Sequence, residues 1–124
     1  MADRKLEIVQ MALENEDFRR VIAAGGHAQV VLMALKPGED IGMEVHKGTD
    51  QVLFFVQGTG NATIGGQTFD IKSDDLFFVP DGTMHNFANT GEIELKLFTL
   101  YSPPAHPEGT VHHTKAEAEA AEKY

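Results

Sequence analysis

Between Asp17 and Ser102 the chain is a series of short apolar runs cut by turns. QVLFFVQG at 51–58 alternates: Gln51, Leu53, Phe55 and Gln57 fall on one face and Val52, Phe54 and Val56 on the other, because successive side chains of a strand point to opposite sides. On similar grounds strands are predicted over 17–23, 28–36, 42–46, 60–66, 67–72, 75–80, 85–89 and 93–102. The breaks carry turn chemistry: Lys-Pro-Gly-Glu-Asp at 36–40, Ser-Asp-Asp at 73–75, Pro-Asp-Gly at 80–82 and Asn-Thr-Gly at 89–91. Gly65-Gly66, between two such runs, predicts a two-residue hairpin. Many short strands with no long helix between them predict an all-β antiparallel sandwich or barrel. Residues 18–102 form this barrel. Residues 1–17, with a weak pattern of Leu6, Val9, Met11 and Leu13, are read as an N-terminal arm or short first strand. Residues 103–124 form a C-terminal extension ending in a short or frayed helix, KAEAEAAEKY.

A chain of 124 residues is long enough for one domain with a real core. Its net charge of −9 argues against nucleic acid and against an anionic membrane surface as partners. It does not exclude a small anionic ligand, since one pocket can hold a local positive charge such as a metal ion. With no cysteine there is no disulfide, no thiolate nucleophile and no Cys-type zinc site. MADRKLEIVQ lacks the apolar segment of a signal peptide, and no run reaches the length of a membrane span. A cytoplasmic protein is therefore expected.

The candidate chemistry lies in GMEVHKGTDQ, residues 42–51. Glu44 and His46 are two apart and share a face if the segment is a strand. A hairpin turn after His46 sets Gln51 beside it, and the Pro-Asp-Gly turn at 80–82 leads into His85. Glu44, His46, Gln51 and His85 make a mixed nitrogen and oxygen donor set suited to Mn, Fe, Co, Ni, Cu or Zn. Each residue taken singly is better explained as an ordinary strand-end or turn polar group; the case rests on the four together.

Both stretches resemble the paired motifs of the cupin superfamily, whose fold is a double-stranded β-helix or jelly-roll barrel. The first motif reads Pro37-Gly38, EDIGM, Glu44-Val45-His46, KGTD, Gln51, VLFFVQ, Gly58; the second reads Asp74, DLFFV, Pro80-Asp81-Gly82, TM, His85, NFA, Asn89. All spacings are kept. Glu44 replaces a histidine of the family pattern, Gln51 its glutamate and Asp74 its opening glycine, a turn position. The carboxylate and the neutral donor have traded places, so the set still carries one carboxylate. FRRV at 18–21, the stretch 36–51 and SPPAHPEGTVHHTKAEA at 102–118 resemble a group of small bacterial single-domain cupins. Such proteins are often labelled mannose-6-phosphate-isomerase-like, by similarity to the cupin half of larger enzymes.

The resemblance implies a divalent transition metal held by Glu44, His46, Gln51 and His85. It also implies metal-dependent chemistry of isomerase, lyase or dioxygenase type on a small oxygenated or sugar-like metabolite, or else binding of a sugar or carboxylate without turnover. Leu53, Phe55, Gln57 and Phe87 are inward candidates for the pocket lining, plain core packing being the ordinary role of most of the phenylalanines. His27, with Gln29, is read either as a barrel-mouth residue or as a solvent-facing strand start. His106, His112 and His113 lie in a proline-rich tail expected to be extended and solvated, the alternative being that it folds over the mouth. A homodimer is expected, with the segment around DFRRVI as the exchanged strand.

Overall fold

The computed structural model describes residues 5–122 as two antiparallel sheets facing each other in a jelly roll. A short helix, α1 (Ile8–Glu14), precedes nine strands: β1 (Arg19–Ala24), β2 (Gln29–Leu35), β3 (Asp50–Gln57), β4 (Gly60–Ile64), β5 (Gln67–Ile71), β6 (Leu76–Val79), β7 (His85–Asn89), β8 (Leu95–Ser102) and β9 (Val111–His112). Helix α2 (Lys115–Glu122) follows. One sheet runs β6-β3-β8-β2-β1-β9 and the other β5-β4-β7. Among the described residues no helix is long and apolar enough to cross a membrane.

The alternation in β3 holds: Gln51, Leu53 and Phe55 are buried, and Val52, Phe54 and Val56 are less so. Their inner-face row continues through register, Leu53 opposite Thr99 and Phe55 opposite Leu97 of β8. The facing sheet contributes Ala62, Ile71 and Phe87, so the core lies between the sheets. Burying one such Phe or Leu stabilises the fold by about 1.5–3 kcal/mol. Strand β2 breaks the alternation, with Val31 to Leu35 all buried. The reason is α1, whose Met11 lines a groove with Leu32 of β2 and Ile22 of β1. Both faces of β2 are thus covered, and Lys96 on β8 reaches across to donate to the carbonyl of Leu13 at 2.6 Å. Residues 8–14 are therefore helix, not the arm or strand expected; a seven-residue helix is too short to declare itself by periodicity and forms because the sheet packs under it.

The segment 42–46 is not a strand. It lies along β7, but only Asp40–Ala88 and Glu44–His85 form bridges. Gly42 sits at φ +102, and its N–H donates to the side chain of Asn86 at 2.9 Å in place of a ladder bond. That left-handed residue breaks the regular ladder. The hairpin proposed to bring Gln51 to His46 is likewise absent, because β3 pairs with β6 and β8. Nor is β1 a free edge for strand exchange; β2 flanks it on one side and β9 on the other.

The C-terminal extension is not a solvated tail. Residues 111–112 pair with Arg19 and Arg20. Helix α2 buries Ala118 in the core and anchors Lys115 on Asp40. Lys123 and Tyr124, the last residues of the expected helix, lie outside the described residues.

Candidate metal centre

Four elements deliver side chains to one end of the barrel. Glu44 and His85 exchange both backbone hydrogen bonds, N–H of Glu44 to the His85 carbonyl at 2.8 Å and the reverse at 2.9 Å. In an antiparallel pair of this kind the two side chains leave on the same face. The loop after His46 is tied down from the other side: Gly82 N–H donates to the His46 carbonyl at 3.0 Å, and Gly48 N–H to the Asp81 carboxylate at 2.6 Å. The Pro-Asp-Gly turn thus positions His46 as well as His85.

The ligand atoms of Glu44, His46 and His85 all lie within 4.8 Å of one another. Nε2 of His46 is 3.6 Å from Oε1 of Glu44. The two imidazole rings are 5.4 Å apart between centroids. His85 is 1% exposed, and its Nδ1 lies 2.9 Å from the carbonyl of Thr83. A carbonyl only accepts, so that contact places the proton on Nδ1 and leaves the Nε2 lone pair facing the cluster. Nε2 of His46 and of His85 are both buried without a hydrogen-bond partner.

Gln51 is 2% exposed on the inner face of β3. Its Nε2 donates to the hydroxyl of Thr99 at 3.0 Å, which turns the amide so that Oε1 is left buried and unpartnered. Tyr101, opposite Gln51 in register, meets the His46 ring at nearly a right angle with centroids 5.5 Å apart. Burial pushes the Glu44 carboxyl up, but contact with the His46 imidazole and the charge of Arg19 outweigh it, leaving the group below its ordinary value and ionised near neutrality.

Phe87 stands 6.1 Å from His85 and 5.7 Å from Phe55 between ring centroids, and both phenylalanines are fully buried members of the core beneath the cluster. Gln57 is not part of it; its amide caps the far end of the strand on the carbonyl of Glu94 at 3.0 Å. His27 is exposed in the β1–β2 turn, a solvent-facing strand start. His113 is exposed and pairs with Asp17 at 2.6 Å. His112 lies on β9, across from Arg19.

Two further contributors were not singled out by sequence. Arg19 is 1% exposed, and its charge is felt at both Glu44 and His106. Its signal was the alternation itself, which puts Arg19 on the face of Val21, but an arginine on a core face runs against expectation. Tyr101 shares its face with Leu97 and Thr99 in the same way.

The stretch 103–107 forms a strap across this end of the barrel. The buried amide of Gln29 fixes it: Oε1 accepts the N–H groups of Ala105 and His106 at 2.8 and 2.9 Å, and Nε2 donates to the His106 carbonyl at 2.9 Å. The His106 ring packs on Tyr101 with centroids 5.1 Å apart. Its Nε2 is buried without a partner.

Known proteins align with this arrangement. The Cupin_2 family model, described as a cupin domain, matches residues 31–101. The chain is 46% identical over 115 residues to the Bacillus subtilis protein YrkC, an alignment covering 88% of this chain; the chain spans only 62% of that relative's length. A crystal structure of the Bacillus halodurans protein BH2720 superposes with a TM-score of 0.93 at 39% identity, covering 97% of this chain and 99% of that one. A Thermotoga maritima protein named as oxalate-binding is 29% identical over 68 residues, covering 55% of this chain and 56% of that protein.

Proposed function

This chain belongs to the cupin family, and from that footing we propose that it holds one divalent transition metal through Glu44, His46 and His85, with Gln51 as fourth donor, and acts on a small oxygenated metabolite. One observation carries the reading: Nε2 of His85 and Oε1 of Gln51 are buried acceptor atoms with no hydrogen-bond partner, on side chains oriented by Thr83 and Thr99, and Nε2 of His46, also buried without a hydrogen bond, lies 3.6 Å from the Glu44 carboxylate. Leaving a buried polar atom unsatisfied costs about 1–3 kcal/mol, and a cation shared among them removes that cost. Two imidazole nitrogens, an amide oxygen and one ionised carboxylate suit Mn, Fe, Co, Ni, Cu or Zn. When bound, such an ion supplies Lewis acidity toward a ligand oxygen.

The chain's own residues do the rest. Glu44 brings the single negative charge, kept ionised by its neighbours. Thr83 and Thr99 fix the His85 tautomer and the Gln51 rotamer. Phe55 and Phe87 close the floor against water. The activity is of isomerase, lyase or dioxygenase type. The second reading, binding without turnover, is favoured by the relative named as oxalate-binding. Metal analysis of protein purified without chelator tests the centre: a stoichiometric transition metal supports it, and a metal-free protein that takes none up refutes it. A turnover screen of the Mn, Fe, Ni and Zn forms against sugar phosphates, diketones and carboxylates then separates enzyme from binder.

The homodimer is also proposed, through the outer face of β6 and β3 instead of an exchanged β1. Leu76 and Phe78 are 59% and 54% exposed there, beside Phe54 and Val52 in register. Sedimentation should give a dimer, and Phe78→Lys a monomer; a monomeric parent protein overturns this.

A further inference from the structure

His106 lies outside both sequence motifs and outside the donor cluster, yet its surroundings are those of a working group. The strap that carries it is held by three hydrogen bonds to one buried side chain, Gln29, which itself sits opposite Tyr101 in register. Tyr101 meets the His46 ring on one hand and the His106 ring on the other, at nearly right angles to each. Like the nitrogens at the metal centre, Nε2 of His106 is buried and unpartnered. Burial, followed by the charge of Arg19, lowers its pKa to about 4, so the ring is neutral and able to donate or accept one hydrogen bond at neutral pH.

We propose that His106 is a second recognition group of this mouth, hydrogen-bonding through Nε2 to an oxygen of the bound molecule that lies beyond the atoms gathered at Glu44, His46 and His85. The proposal rests on the metal-centre reading for where the first end of the ligand sits. It adds a second contact point and a charge. The Tyr101 ring touches both His46 and His106, so a ligand that reaches both carries a further oxygen beyond the atoms at the metal centre. The buried guanidinium of Arg19, whose charge acts on both Glu44 and His106, favours an anion. The ligand class is therefore a small hydroxy or oxo acid with an additional oxygen on a further carbon. Gln29 is a positioning residue: it touches no ligand and acts by holding the His106 backbone.

The test is a histidine ¹³Cε1 NMR titration, first with Zn²⁺ and then with glycerate, using glycolate as the shorter acid that lacks the third carbon and its hydroxyl. Zn²⁺ should move the resonances of His46 and His85 and leave that of His106 in place; glycerate should then move His106. His106→Phe should keep zinc affinity and glycolate affinity while weakening glycerate about tenfold, the worth of one hydrogen bond, and His106→Gln should recover part of that loss. The proposal is overturned if His106 follows Zn²⁺ alone, if glycerate leaves it still, or if His106→Phe weakens both acids equally. Silent His46 and His85 resonances refute the metal centre instead. In that event glycerate added to the zinc-free protein still decides the matter, since movement of His106 supports its role and stillness overturns it.

Discussion

Glu44 and His85, 41 positions apart by their numbering, are joined by a reciprocal pair of backbone hydrogen bonds of 2.8 and 2.9 Å. Backbone, not side chain, therefore sets where these two donors stand, and the consequence can be measured. Glu44→Ala keeps both bonds, so the apoprotein should unfold within about 1 kcal/mol of the parent. Its affinity for a divalent metal should fall at least tenfold, read by mass spectrometry of metal content or by titration calorimetry. A Glu44→Ala protein with full metal content removes Glu44 from the donor set.

Gln51→Glu restores the residue of the common family pattern and adds a second carboxylate to a nearly dry site. The Thr99 hydroxyl, which now accepts from Gln51, can donate to the new carboxylate instead. Without metal the variant should melt earlier, because a buried charge beside Glu44 lacks a cation. With metal it should bind more tightly than the parent. Thermal unfolding with and without Zn²⁺ gives both signs in one experiment.

Two histidines of the extension should tilt stability with pH in opposite directions. His106, held down to about 4 chiefly by burial, contributes stability that is complete above its ordinary value of 6.5 and is lost as pH falls through about 4. His113 is raised by its hydrogen bond to Asp17 and by that residue's charge, so its contribution is complete below 6.5 and is lost as pH rises through its raised folded value. Asp17, lowered first by His113, stays ionised throughout that range. Urea midpoints from pH 4 to 9 should show the acid limb flatten in His106→Phe and the neutral-to-alkaline limb flatten in Asp17→Asn.

Asp74 is the residue standing where the second motif opens with glycine, and its φ is +76, the one positive-φ position outside glycine among the described residues. Its N–H still docks on the Phe55 carbonyl at 2.8 Å. A left-handed backbone costs a non-glycine residue about 1–2 kcal/mol, less for Asp, whereas glycine gives back part through unfolded-chain entropy. Asp74→Gly should therefore raise stability by up to about 1 kcal/mol, seen as a higher denaturation midpoint at unchanged slope.

Strands β3 and β7 were legible because each buries one face only, so their alternation was visible and placed Gln51, Phe55, His85 and Phe87 inward. The segment 42–46 reads as a strand by composition, yet Gly42 adopts a conformation that composition does not encode, and the grouping of Glu44 with His85 arises from pairing across the barrel. Helix α1 was hidden for a related reason: its partner surface, the outer side of β2, reveals itself only once the sheet is formed. The strap stood only as the alternative to a solvated tail because proline-rich sequence says where regular pairing stops, not that a distant glutamine will capture the chain.

Gln29 and His106 are 77 residues apart, and β1 meets β9 over a similar stretch of chain. Strands β1 to β8 all precede the strap in the chain, and while residues 103–112 are undocked the rim at this end is open and the Gln29 amide faces water. Docking of residues 103–112 then becomes the step that seals the chamber, and an agent present before it, a metal ion included, has a wider entrance than any molecule arriving afterwards.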